Sequence, residues 1–177
     1  MQITVLSYSY TGNNARFAKA VANELAAKQI EISPKRPVNY GSITLDLLFQ
    51  RIPKVSFSQD NWNESDFILL VGPVWMGQIA FPLRRCLSEL KQQPRPYGFL
   101  SVSGGADGIN PDLARELTRR AGARPVVLLD QHIRELLPPQ PVPTRDDTSN
   151  YRLTDADCAL LARHAAEEVR LALPDPN

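Results

Sequence analysis

Apolar runs only four to six residues long alternate with amphipathic stretches along the chain, and no other feature restricts the possible folds as much. The runs occupy residues 3–6 (ITVL), 67–72 (FILLVG), 99–102 (FLSV) and 126–129 (VVLL). Runs this short and this uniformly apolar are what strands covered on both faces look like. After the first run, Phe17, Ala18, Val21, Ala22 and Leu25 recur at helical spacing, which predicts a helix continuing to about Lys28. Leu83, Cys86, Leu87 and Leu90 repeat the stripe after the second run. A third helix is announced by Asn110 as N-cap, Pro111 at the first helical position and Asp112 behind it, with Leu113 and Leu117 facing inward and Gly122 at its end. The last helix begins near Thr154 with a loose capping box, buries Cys158, Leu161, Ala165, Val169 and Leu173, and stops at Pro174. Residues 29–33 (QIEIS) alternate apolar and polar, which predicts a fifth strand at a sheet edge.

The remaining stretches are connections. Residues 42–51 are expected to hold a short helix, while residues 34–40 and 54–65 read as irregular. Four prolines within residues 138–143 forbid regular structure, so a stiff extended connection over residues 138–150 leads into the last helix. Besides a surface loop, such a stretch is compatible with an SH3-type ligand. Strand alternating with helix five times predicts one α/β domain over residues 1–177, a doubly wound parallel sheet with helices on both faces.

Composition narrows the function. Hydrophobic residues at 43% and charged residues at 22% match a globular core and exclude a disordered or collagen-like chain. Twenty basic and nineteen acidic residues leave a net charge of +1, too little to hold a nucleic acid by its overall field. Cys86 and Cys158 are far apart and form no CxxC, so they read as buried small hydrophobes rather than as a disulfide or zinc pair. No apolar run approaches the roughly 20 residues of a membrane span, and residues 1–8 lack a basic start and a signal-peptide core. The expectation is a cytosolic protein without a membrane span.

In an open parallel sheet, ligands bind beyond the carboxyl ends of the strands, so the residues after each apolar run matter most. Ser7 to Asn14 follow the first run and lead into a helix. The hydroxyls of Ser9 and Thr11, the amides of Asn13 and Asn14, the close approach allowed by Gly12 and the free N–H groups of a helix start make an anion site. A polar turn that merely caps the helix is the plainer alternative. Neither GxGxxG nor GxxxxGK[ST] is present, which removes the usual dinucleotide and nucleoside-triphosphate loops. Neither His132, placed just past the last strand, nor His164 has a nucleophile or a second histidine at triad or metal spacing. Arg84 and Arg85 open the second helix, either to meet an anion or as a solvated face. Trp62 and Tyr40 stand in irregular segments with no motif, and packing or exposure is expected of them.

Ser9-Tyr10-Thr11-Gly12-Asn13-Asn14 resembles the phosphate loop of the flavodoxin family, S/T-x-T-G-x-T, with Asn14 in place of the last hydroxyl residue. Gly72-Pro73-Val74-Trp75-Met76-Gly77 resembles the family loop that leaves the third strand and lays an aromatic ring and backbone groups against the flavin. Ser103-Gly104-Gly105 lie where the family's second flavin loop would be. The resemblance covers nearly the whole chain. It implies the 2-1-3-4-5 strand order, for which flavodoxin is a known example, and FMN at the point where that order reverses. It also implies that Ser9 to Asn14 hold the phosphate, while Pro73, Val74, Trp75, Met76 and Gly77 with Ser103, Gly104 and Gly105 border the ring. Gly77 is the residue best able to reorient its peptide with the redox state.

Three functions follow from the resemblance. One is an FMN-dependent oxidoreductase that takes electrons from NADH or NADPH to a small acceptor such as a quinone. Another is a flavodoxin-type carrier between redox protein partners, and the third is a scaffold without FMN. Carriers of the family are typically strongly acidic and cover the outer ring face with an aromatic. A charge of +1 and the sequence Ser103 to Gly108, which holds no aromatic, favour the oxidoreductase. Tyr40, Tyr97, Tyr151 or a second chain of a homodimer are the elements able to cover the ring instead.

Overall fold

A computed structural model describes residues 1–35, 55–56, 62–75, 77–105 and 110–173. In chain order the elements are β1 (Ile3–Ser7), α1 (Asn13–Glu24), β2 (Lys28–Glu31), β3 (Ser33–Pro34), β4 (Val55–Ser56), β5 (Phe67–Val71), β6 (Val74–Trp75) and β7 (Gln78–Ile79). A 3-10 turn (Phe81–Leu83), α2 (Arg84–Gln92), β8 (Tyr97–Ser103), α3 (Leu113–Ala121) and β9 (Val127–His132) follow, then a 3-10 turn (Ile133–Leu136), α4 (Arg145–Asn150) and α5 (Asp155–Ala172). Five strands pair in parallel in the order β2-β1-β5-β8-β9, which, counting these strands along the chain, is 2-1-3-4-5.

The central strands are apolar at nearly every position because both of their faces are covered. In β5 all five residues are buried: Phe67, Leu69 and Val71 pack with α1 and α5, while Ile68 and Leu70 pack with α2 and α3. The strand order reverses between β1 and β5, so the crevice lies beyond Ser7 and Val71, where the two loops singled out in the sequence begin. Among the described residues no helix is long and apolar enough to cross a membrane.

Several boundaries differ from expectation, each for a local reason. The first helix ends at Glu24, not near Lys28, because Ala26 takes a left-handed φ of 49° and Lys28 already belongs to β2. That strand ends at Glu31, and Ser33–Pro34 turns aside to pair antiparallel with Val55–Ser56. The third helix starts after Asp112, so Asn110 is not its N-cap; its side chain instead accepts the Asp112 N–H at 3.2 Å. The last strand runs three residues past the apolar run, making His132 its final residue; as an edge strand it tolerates Asp130 and Gln131. Residues 138–150 are not extended throughout, since α4 forms at 145–150 on its own Thr144/Asp147 capping box. The same box at Thr154/Asp157 starts α5 where expected. Cys86 and Cys158 are buried and unpaired. The helix expected at 42–51, together with Tyr40 and Pro174, lies outside the described residues.

Candidate functional site

The loop after β1 turns on Gly12, whose φ of 93° places it in the left-handed region at the head of α1. An added Cβ there would meet nothing within 4 Å, so the turn faces open space. The Ser9 hydroxyl accepts the Gly12 N–H at 3.0 Å and closes the loop. Among the described residues nothing bonds the exposed Thr11 hydroxyl. The first turn of α1 carries no acidic residue, and its N–H groups have no intrahelical acceptor. Backbone dipole and open space together favour an anion at this point.

Asn13 and Asn14 do not serve as the sequence suggested. Their side chains are buried and turned into the protein. Asn14 donates to the Val102 carbonyl (2.9 Å) and accepts the Val102 N–H (3.0 Å). Gly72 N–H to Leu100 O is the last rung between β5 and β8, and the Asn14 amide supplies the next one after β5 has turned away. Asn13 donates to the Tyr151 carbonyl (3.0 Å) and accepts the Leu153 N–H (3.1 Å), tying the loop to the entry of α5. Only the backbone groups of these two residues remain to face an anion. At position 14, where the resembled motif has a hydroxyl residue, the side-chain amide thus serves to pair the Val102 backbone.

Beyond β5 the chain forms a tight β6–β7 hairpin, with Trp75 opposite Gln78 and Gly77 in the turn at φ 78°. Trp75 is half-buried and meets Tyr8 and Tyr10 edge to face at 5.9 and 6.1 Å, with Phe81 tilted against it at 5.6 Å. An aromatic wall therefore stands next to the α1 loop, since Tyr10 belongs to that loop. Burial and, second, the neighbouring Tyr10 push the Tyr8 hydroxyl up to about 12, so it stays neutral. Arg84 is buried and donates to the Gln78 side chain at 2.9 Å, while Arg85 is half exposed and pairs with Glu89. Arg84 thus lies on the hairpin and not on a solvated face. Trp62 is buried under the Arg95 guanidinium, 5.8 Å from its ring centre, as packing predicted. Met76 and residues 106–109 lie outside the described residues.

Ser103 ends β8, and Gly104 and Gly105 continue against the edge of β9. A Cβ on Gly105 would lie 2.5 Å from the Cβ of His132, and the Gly104 carbonyl accepts the Arg134 N–H at 3.2 Å. His132 in turn sits between Asp130 (3.5 Å) and Glu135 (3.6 Å). Two of the tyrosines named as covers for a ring are committed elsewhere: the Tyr97 hydroxyl donates to Ala123 O, and that of Tyr151 donates to Asp157.

No protein-family model matches the sequence, and no curated protein matches it. Solved structures do. A flavoprotein from Lactobacillus acidophilus NCFM, solved in complex with FMN, has a TM-score of 0.63 at 20% identity, over 73% of this chain and 93% of that one. A flavodoxin from Streptococcus pneumonia TIGR4 gives 0.54 at 14% identity over 98% and 100% of the two chains. A WrbA-like flavodoxin from Agrobacterium tumefaciens gives 0.52 at 16% identity over 97% and 98%. The fold is flavodoxin-like.

Within this flavodoxin-like fold the three loops named from the sequence all stand at the carboxyl end of the sheet. The first two are joined by Tyr10 against Trp75, and Asn14 of the first bonds Val102 of β8, the residue just before the third. Sequence reasoning missed Tyr8, Asn110 and Glu116. Asn110 donates to the Gly77 carbonyl at 2.6 Å, and Glu116 accepts the Ile79 N–H at 2.7 Å. A carboxylate on the buried side of an amphipathic helix was the available signal for Glu116. Nothing local marked Asn110, which reads as a helix cap.

Proposed function

We propose that this chain binds FMN at residues 9–14, 73–77 and 103–105 and passes electrons from NADH or NADPH through it to a small acceptor such as a quinone. The observation that carries the proposal is the juxtaposition of an open, acid-free helix N-terminus with the Trp75 aromatic wall. The residues present suit such a group: the space beside Gly12 admits a phosphate, and the half-exposed Trp75 offers a flat apolar face. Bound FMN would supply the electron-transfer chemistry. The protein's part is to hold and orient it. The Thr11 hydroxyl and the first N–H groups of α1 bind the phosphate, the Ser9 hydroxyl fixes the turn, and Trp75 with its neighbours excludes water from one side of the ring.

Electron donor and acceptor are read from charge and access. The net charge of +1 provides no acidic field for docking a basic protein partner. Hydride transfer needs the nicotinamide against the flavin at about 3–3.5 Å, and Ser103-Gly104-Gly105 place no bulky side chain on the approach. The test has two stages. FMN added to the apoprotein should lose fluorescence on binding and bind more tightly than riboflavin, with Thr11→Ala about tenfold weaker, as one charge-assisted hydrogen bond predicts. Anaerobic NADH or NADPH should then bleach the bound flavin. Riboflavin binding equal to FMN and unaffected by Thr11→Ala refutes the phosphate assignment. A flavin left oxidised by both nicotinamides, yet reduced promptly by a flavodoxin reductase, gives the carrier role in place of the enzyme.

A further inference from the structure

The β6–β7 hairpin is only two residues per strand, too short to hold its own shape, so its conformation must be imposed from outside. The chain around the start of α3 does this. The Asn110 side chain reaches the turn and donates Nδ2–H to the Gly77 carbonyl at 2.6 Å, while its Oδ1 accepts the Asp112 N–H at 3.2 Å. The two contacts fix the orientation of the amide, because the reversed one would set oxygen against the Gly77 carbonyl and NH₂ against an N–H. Six residues on, Glu116 is buried, accepts the Ile79 N–H at 2.7 Å and pairs with Arg120 at 2.6 Å. Gly77 itself has a positive φ, and an added Cβ would crowd the Asn110 amide at 3.3 Å. The turn and the amide are thus packed as one unit.

We propose that Asn110 is a positioning residue that sets the reduction potential of a flavin bound at this hairpin, by holding the Gly77 carbonyl away from the ring edge. The inference rests on the FMN reading above. Two-electron reduction of the ring places a proton on N5, which turns that nitrogen from an acceptor of a hydrogen bond into a donor. A carbonyl free to turn toward the ring edge would accept from the reduced form and repel the oxidised one. With its carbonyl committed to Asn110, Gly77 withholds that acceptor, and the reduced form gains no such bond. The conformational freedom of glycine, which would otherwise let the peptide reorient, is taken up by the amide contact. In the reaction two electrons and a proton enter the flavin, and no bond to the protein forms or breaks.

The experiment is a spectroelectrochemical titration of the FMN-loaded protein, with electrons supplied through mediator dyes and protons by the buffer, alongside FMN affinities from fluorescence quenching. Asn110→Ala should bind reduced FMN five- to tenfold more tightly relative to oxidised FMN than the parent does. That ratio corresponds to a rise of about 20–30 mV in a two-electron potential. Asn110→Gln, which keeps an amide donor, should return part of the shift. Hydrogen exchange of the apoprotein should quicken at residues 77–79 in Asn110→Ala and not in Asn110→Gln. If Asn110→Ala holds FMN and its potential is unmoved, or if Asn110→Gln shifts as far as Asn110→Ala, the role of Asn110 is overturned while FMN binding stands. A parent protein that binds no FMN overturns the function proposed above and the potential-setting role with it.

Discussion

Replacing Asn14 by alanine tests whether this side chain serves the fold, through its bonds to the Val102 backbone, and not a ligand. The amide bridges the N–H and C=O of Val102, whose residue is buried, at 3.0 and 2.9 Å. Alanine leaves both backbone groups without a partner. A buried group so orphaned costs about 1–3 kcal/mol, so the pair should cost roughly 2–6 kcal/mol. At about 2–4 °C per kcal/mol for a domain of this size, a central loss of about 4 kcal/mol lowers Tm by roughly 8–16 °C. Urea unfolding of the apoprotein, followed by far-UV circular dichroism, should show the midpoint falling by more than about 1 M with an unchanged slope. FMN affinity of the folded fraction, measured well below the new midpoint, should change far less than in Thr11→Ala. A stability loss under about 1 kcal/mol together with a tenfold loss of FMN affinity would place the amide on the phosphate and refute the reasoning.

Further outcomes follow from other contacts. Trp62→Ala should cost about 3–5 kcal/mol as a large core truncation, with FMN quenching intact in the folded protein, whereas Trp75→Ala should lose quenching at little cost in stability; the reverse pattern in a fluorescence titration relocates the site. Gly105→Ala forces a Cβ onto His132 and should destabilise the protein by about 1–3 kcal/mol, a value that urea unfolding reads directly. Burial works to raise the Asp157 carboxyl, but hydrogen bonds from the Thr154 side chain and backbone and from Tyr151 outweigh it and hold the group below its ordinary range. The unfolded chain therefore takes up the proton first as pH falls, so the stabilisation is present above about pH 4 and is lost below it. Asp157→Ala should be about 1 kcal/mol less stable than the parent at pH 7, with the gap closing toward pH 3; a gap independent of pH contradicts this. Burial raises both thiols, so Cys86 and Cys158 should react with a thiol reagent such as DTNB only after denaturation.

The alternation of apolar runs and helical stripes determined the α/β class and the carboxyl-end placement of the candidate loops, because a strand covered on both faces leaves a compositional trace within a handful of residues. The Thr-x-x-Asp start of α5 was equally legible, since a capping box closes within four residues; the same signature at Thr144 was there to be read, but the neighbouring prolines hid it. What the chain could not show locally is where a polar side chain turns once the layers close. Asn13 and Asn14 look like phosphate donors in isolation, yet they face inward because Val102 and Leu153, about 88 and 140 residues away, leave backbone groups that need partners. The β6–β7 hairpin left no periodic trace because two-residue strands carry no period, and its geometry comes from Asn110 and Glu116 on a segment more than thirty residues downstream. His132 extends β9 past its apolar run because an edge strand needs only one neighbour to pair. Local pattern encodes burial, which depends on each residue's own chemistry; hydrogen-bond partnership depends on which distant backbone groups the tertiary fold strands in the same place.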